Sequence, residues 1–349
     1  MSRIAVLGTG GNGSSAAADL VAAGGHDVVL IDQWPAHVEA MREHGLRIRM
    51  PDRELSVPVE ALHLCDVRTL REPFDIVFLA VKAYDTRWAC ELIRPYLAPD
   101  GLLVGLQNGM TVETVTDVVG SSRTVGCVVE LSSELFTPGV VKRNTPPEKT
   151  WFAIGSPDGA TEGRLPEVAA ILSAVGTVTI TSDILSAKWT KLLVNSMGLG
   201  PDGLVGMDTS ESSELSDMRE LCRQIGEEAL AVGELSGYVL QPLFGLRQED
   251  LGGPDLALDR LMGKLVGDLS GLGARSCVLQ DHLKGRYSEV DAINGLVVEL
   301  GKAFDVPTPA NAAVVELTGQ IFDGELKPER ANLERARQLL ARDVHHLRG

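Results

Sequence analysis

The sequence predicts an α/β domain built on a parallel sheet, followed by an all-helical domain. Three observations carry that prediction. Short apolar runs alternate with helical segments through the first half of the chain. A glycine-rich turn stands between the first run and the first helix. The strand-like pattern then stops after Val178-Thr179-Ile180-Thr181, and the remainder of the chain is almost wholly helical in period. A chain of 349 residues is too long for one ordinary core, so two domains are expected, 1–184 and 185–349.

Composition narrows the class. Hydrophobic content of 44% with 23% charged residues is globular. The formal charge of −16, from 32 basic and 48 acidic residues, argues against nucleic acid or an anionic membrane as partner and is read as solubility. Five cysteines, odd in number and without CxxC spacing, read as reduced thiols in a cytoplasmic protein with no metal site. Neither a secretory leader nor an apolar run long enough to cross a bilayer is expected.

Taken in order, Ile4-Ala5-Val6-Leu7 is a short buried strand, followed by Gly8-Thr9-Gly10-Gly11-Asn12-Gly13 and a helix from Ser14 to Ala23. The glycines at 8, 10 and 13 form GxGxxG. The first permits the tight turn, the second lets backbone approach a pyrophosphate, and the third lets the helix pack on the sheet. Strand 27–31 ends in Asp32, 19 residues beyond Gly13, at the position of an acid that bonds a ribose 2′-hydroxyl. Together these are the signature of a Rossmann-type dinucleotide-binding domain. A 2′-phosphate beside Asp32 would be repelled, and Gln33-Trp34-Pro35-Ala36-His37 supplies no lysine or arginine, so NAD is favoured and NADP is the alternative.

Phe74 to Val81 reads as a central parallel strand delivering Lys82 at its carboxyl end, where doubly wound sheets place ligands. Leu102 to Leu106 delivers Gln107-Asn108-Gly109-Met110 in the same way. The stretches 125–130, 139–143 and 151–154 alternate, and are expected to extend the sheet as antiparallel strands. Leu215 to Leu235 and Leu256 to Leu269 are long amphipathic helices of the second domain.

The stretch the second domain turns on is Ala187 to Asn195. Ser186 is placed to cap a helix here, and Lys191 and Asn195 lie one turn apart on one face, among Leu192, Leu193, Val194 and Met197. Apolar surroundings disfavour the charged form of a lysine and move it towards the range of a general acid. Taken alone, Lys188, Lys191 and Asn195 could be an ordinary solvated stripe; the flanking motifs argue otherwise. A further polar cluster lies between Arg275 and Glu299, including Ser276, Cys277, Gln280, Asp281, Glu289, Asp291 and Asn294.

This set of motifs resembles the ketopantoate reductase (2-dehydropantoate 2-reductase) family from Gly8 to about Val306: GxGxxG, Val81-Lys82-Ala83, Gln107-Asn108-Gly109-Met110, Lys191-Leu-Leu-Val-Asn195, and Leu279-Gln280-Asp281 leading to Glu289-Val-Asp291-Ala-Ile-Asn294-Gly295. The resemblance implies that Lys191 is the catalytic lysine, Asn195 its helical partner and Glu289 the substrate-binding carboxylate. It also implies that Lys82 and Asn108 stand at the mouth of the cofactor cleft. Three departures accompany it. Leu199 stands where the family commonly has asparagine, and Cys277 where it commonly has serine, with Ser276 next door. Asp32 is unexpected in a family whose pantoate enzymes mostly use NADPH.

The expected protein is therefore a nicotinamide-dependent oxidoreductase acting on a small keto or hydroxy substrate, contacted by Asn108, Asn195, Leu199, Ser276, Cys277 and Glu289. The active site is expected between the domains, in a homodimer joined through the helical domain. Its substrate is expected to be less polar than ketopantoate. The alternatives are an authentic 2-dehydropantoate 2-reductase, a 3-hydroxyacid dehydrogenase, and a dinucleotide-sensing protein without turnover.

Overall fold

The computed structural model describes residues 1–243, 245–269 and 273–346; residues 244, 270–272 and 347–349 of the expected helical domain lie outside the described residues. The chain forms two compact units, Met1–Lys188 and Trp189–Gly349.

In the first unit, β1 (Arg3–Leu7), α1 (Gly11–Ala23) and β2 (Asp27–Asp32) make the first βαβ turn. Then come α2 (Pro35–His44), β3 (Leu46–Arg49), β4 (Glu54–Val57), β5 (Glu60–His63), β6 (Phe74–Leu79), α3 (Thr86–Ile93), β7 (Leu97–Gly105) and α4 (Val112–Val119). They are followed by β8 (Thr124–Glu130), β9 (Ser133–Thr137), β10 (Val140–Arg143), β11 (Trp151–Gly155), α5 (Leu165–Leu172) and β12 (Thr177–Ile180). An eight-stranded sheet runs in the order β12-β11-β8-β7-β6-β1-β2-β5. Its central strands are apolar on both faces because helices cover both: Ile4, Val6, Ile76 and Phe78 point into one core, Ala5, Leu7, Val77 and Leu79 into the other.

Three expectations are corrected by the structure. Strand β6 stops at Leu79, two residues early: the Ala80 N–H still bonds Leu7 O, and Ala80 and Val81 then pass close over Gly8. Residues 125–130 and 151–154 do extend the sheet, but β8 runs parallel to β7 and only the β8–β11 pair is antiparallel. Residues 139–143 do not join this sheet at all. Strand β10 belongs to a separate four-stranded sheet, β4-β3-β10-β9. The reason is Arg143, which is fully buried. Its guanidinium pairs with Asp19 on α1 and donates to Thr145 O, Thr150 Oγ1 and Val175 O. The pair with Asp19 holds the end of β10 against α1.

The second unit carries α7 (Thr209–Ser213), α8 (Ser216–Leu235), α9 (Pro254–Leu269), α10 (Cys277–Leu283), α11 (Leu296–Ala303), α12 (Pro309–Phe322) and α13 (Ala331–His346). The helix that precedes them, α6 (Ile184–Val205), crosses the division between the units. Helix α6 is longer than the predicted 187–195 stretch and begins earlier. Asp183, not Ser186, caps it: the Asp183 Oδ1 accepts the Ser186 N–H at 3.0 Å, and Ser186 is buried within the first turn. Leu192, Leu193, Val194 and Met197 are fully buried, as an all-round apolar helix requires.

Two buried carboxylates illustrate opposite solutions. Asp19 faces a cation, yet burial still pushes its pKa up beyond what Arg143 restores. Asp202, on α6, faces hydroxyls: Thr209 Oγ1 donates at 2.7 Å and Ser212 Oγ at 2.5 Å. Burial pushes the Asp202 pKa up to about 6. Arg143→Met should leave Asp19 buried without its partner and lower stability by about 3–5 kcal/mol, read from urea midpoints. Asp202 adds a pH dependence of its own. Between about 4 and 6 the folded state holds a proton that the unfolded state has lost, so this group adds stability as pH falls and loses it as pH rises through about 6. Asp202→Asn should flatten that part of the stability–pH curve; an unchanged slope between pH 7.5 and 5 refutes the assignment.

Candidate active site

The glycine-rich turn is built by contact distances that exclude side chains. Gly8 has φ +92°, and a Cβ there would stand 2.7 Å from Val81 N. A Cβ on Gly13 would stand 2.1 Å from Gly8 O, so α1 can approach β1 only with glycine at that position. Gly10 differs: a Cβ there would meet nothing within 4 Å. Gly10 is also the residue that begins α1, which has neither a side-chain cap nor an acidic residue in its first turn. Amides at the start of α1, among Gly11 and Asn12, therefore face an open space suited to an anion.

Thr9 and Asp32 frame that space. Thr9 Oγ1 donates to Asp32 Oδ2 at 3.1 Å, and the Trp34 N–H donates to Oδ1 at 2.8 Å. The carboxylate is thereby oriented with lone pairs left for two further donors, as a ribose diol would supply. Beneath the turn sits fully buried His37, which sequence reading did not pick out. Its Nδ1 accepts the Gly139 N–H at 2.9 Å, so Nε2 carries the proton and donates to Thr9 O at 2.9 Å. Burial holds its pKa below the ordinary histidine value, so it is a neutral strut and adds no cation to the pocket. No signal in the sequence marks it beyond its place on the helix after Asp32.

At the ends of β6 and β7, Lys82 and Asn108 are both half-buried. The Gln107 carboxamide joins the two segments, donating to Val81 O at 3.0 Å and to Thr86 Oγ1 at 2.9 Å. Lys188, read from sequence as one member of a possible solvated stripe, is instead buried in the same unit.

The second unit assembles the other residues on α6. Lys191 is half-buried and Asn195 buried, one turn apart. Asn294 Nδ2 donates to Ser196 O at 3.1 Å and to Asn311 Oδ1 at 2.9 Å, and with Val290 it lies over Gly200. This anchors on α6 the segment that carries Glu289, itself buried, at the start of a π-helical turn, Asp291–Gly295. Ser276 caps α10: its Oγ accepts the Leu279 N–H at 3.2 Å and donates to Leu199 O at 3.0 Å. Its proton is thus committed to the fold. Cys277 and Leu199, on either side of that bond, are partly exposed.

Among the described residues no group of three or more His, Cys, Asp or Glu is placed to hold a metal, and no helix is long and apolar enough to cross a membrane.

Comparison with known proteins places the chain in a family. The family profile described as ketopantoate reductase PanE/ApbA matches residues 4–157, and its C-terminal counterpart matches residues 183–321. The 2-dehydropantoate 2-reductase of Mesorhizobium japonicum is 28% identical, over 91% of this chain and 97% of that protein. The enzyme of the same name from Pyrococcus abyssi is 29% identical, over 88% and 94%. Among solved structures, a PanE/ApbA family ketopantoate reductase from Ralstonia eutropha superposes with a TM-score of 0.76 at 26% identity, covering 92% of this chain and 99% of that one. A D-mandelate dehydrogenase in ternary complex with NADH and anilino(oxo)acetate has a TM-score of 0.80 at 21% identity, with the same coverage, and so shares the fold. With its glycine turn on one unit and its Lys191–Asn195 helix leading into the other, each matched by its own profile, the chain belongs to the ketopantoate reductase family of oxidoreductases.

Proposed function

We propose that the protein is an NAD-preferring oxidoreductase of this family that interconverts a small 2-keto or hydroxy acid pair whose tail is less polar than that of ketopantoate. The observation that carries the substrate reading is the state of Ser276. The Leu199 side chain offers no hydrogen bond, Cys277 is a weak donor, and the neighbouring Ser276 hydroxyl has its proton engaged on Leu199 O. A substrate hydroxyl buried against this surface would lose about 1–3 kcal/mol.

The cofactor reading rests on charge. Asp32 is only 8% exposed and bound by Thr9 and Trp34, and the histidine that follows it is neutral. Arg42, the first arginine after it, is directed to Glu39, Asp66 and Ala61 O. A 2′-phosphate would therefore meet a carboxylate without a compensating cation. The D-mandelate dehydrogenase solved with NADH and anilino(oxo)acetate is a precedent for that pair of ligands on the same fold.

In this reading the turn from Gly8 to Gly13 (Gly8, Thr9, Gly10, Gly11, Asn12, Gly13), together with Asp32, Lys82 and Asn108, holds the dinucleotide, and hydride exchange at nicotinamide C4 is the chemistry it contributes when bound. Lys191 supplies the proton to the substrate oxygen during reduction and withdraws it during oxidation. Its charge stabilises the developing alkoxide. Asn195 orients the lysine or that oxygen, and Glu289 accepts from the hydroxyl of the hydroxy-acid form.

The deciding experiment measures kcat/KM for ketopantoate and for 2-keto acids of matched size lacking the terminal hydroxyl, in the wild type and in Lys191→Met. The hydroxyl-free acids should win, and Lys191→Met should lose roughly a hundred-fold or more in kcat. A tenfold preference for ketopantoate, on the order of 1.4 kcal/mol, establishes the 2-dehydropantoate 2-reductase that the curated relatives are named for. Near-normal turnover in Lys191→Met removes that residue from the chemistry. Cofactor choice is checked separately: the wild type should prefer NADH, Asp32→Ala should narrow the gap, and a wild-type preference for NADPH refutes the charge argument.

A further inference from the structure

Helix α6 starts by sinking into the main sheet. Ile184 sits on Gly126 of β8 and Gly155 of β11, where a Cβ would come within 2.6 Å and 2.8 Å of its side chain. These two glycines are cross-strand partners, and Gly105 at the end of β7 is paired with Gly126 on the other side. Gly126 and Gly155 together let the first turn of the helix lie low against the strands. Lys188, one turn beyond Ile184, is consequently buried, at 3% exposure. Its Nζ donates to Gln107 O at 2.9 Å and Cys127 O at 3.2 Å.

The bonds continue from there. Gln107, held through its carbonyl by Lys188, donates through its carboxamide to Val81 O. Val81 immediately precedes Lys82, and Gln107 immediately precedes Asn108. One hydrogen-bonded line thus runs from α6 through the end of β7 to the end of β6, and it fixes the backbone on which both residues are mounted. An apolar side chain of similar length could fill the same volume without the cost of desolvating an ammonium.

Strand order then says which part of a ligand would feel this line. With pyrophosphate at the turn after β1 and the adenine-side ribose at Asp32 after β2, a dinucleotide must extend in the other direction, towards β6 and β7. We propose that Lys188 is a positioning residue for the nicotinamide half of the cofactor, acting through Gln107 on the strand ends that carry Lys82 and Asn108. This rests on the proposed binding of a dinucleotide by the glycine turn and Asp32.

The test compares two ligands in one variant. Affinities of Lys188→Met and wild type are measured for the reduced dinucleotide that the wild type prefers, and for ADP (or its 2′-phosphate, if NADPH is preferred), which lacks the nicotinamide riboside. Lys188→Met should weaken the dinucleotide about tenfold, the scale of one or two lost hydrogen bonds, and change ADP by less than about twofold. Equal weakening of both ligands, or no change in either, overturns the proposal. Should Lys188→Met fail to fold by circular dichroism, Gln107→Met cuts the next link with the lysine in place. The same selective loss there supports the proposal, and an unaltered ratio overturns it. If the wild type binds neither ligand, the cofactor reading itself falls, and the Lys188 proposal with it.

Discussion

The first unit depends on one distance. A side chain at Gly13 would place its first carbon 2.1 Å from Gly8 O, so helix α1 and strand β1 can meet only through two bare backbones. Once they do, the rest of the cofactor half is determined. The start of α1 is brought to the carboxyl end of the sheet, and Gly8 lets Ala80 and Val81 pass close by. Asp32 comes within reach of Thr9. His37 then braces the turn from below, against the Gly139 amide at the β9–β10 corner. The second sheet is therefore part of the support of the turn, and the buried Arg143–Asp19 pair fastens that sheet to the same helix α1.

Locality decides which features could be read from the sequence. The βαβ turn was legible because its constraints are local: three glycines and an acid at fixed spacing. The second sheet was not. Leu46-Arg-Ile-Arg49 alternates buried and exposed as a strand should, but alternation does not name its partners, and beside the adjacent β4 one of them lies some ninety residues away in β10. The burial of Arg143 has no local sign in the sequence, because its compensating carboxylate is on α1, far away in sequence. Lys188 misled for the same reason: its acceptors are main-chain carbonyls, which carry no sequence signature at all.

Helix α6 shows the converse case, where tertiary contacts override poor local propensity. Gly198-Leu199-Gly200-Pro201-Asp202-Gly203 would end most helices. Here it continues to Val205, with neighbours packed onto two of its glycines: Gly200 faces Val314 and Asn294, and Gly203 faces Val278. Its carbonyls are bonded from outside as well. Ser196 O accepts from Asn294, Gly203 O from the His282 ring, and Leu204 O from Asn332. Asn294 is linked in turn through Asn311 to Glu228, whose carboxylate caps the start of α12. A buried polar network thus replaces intrinsic helix propensity, and it holds the segment bearing Glu289 at a fixed level on α6.

The same arrangement separates architecture from specificity. The bond between Ser276 and α6 uses the carbonyl of Leu199, leaving the side chain at that position without a duty in joining α10 to α6. A residue in such a position can change from polar to apolar without loosening the joint beside it. Asn195 and Glu289 are buried, and Lys191 shares its turn of α6 with fully buried leucines, so changes at those three would disturb packing. The departures from the family pattern at 199 and 277 fall on partly exposed residues beside that joint. That is where a family keeping one proton-transfer site would be expected to vary its substrates.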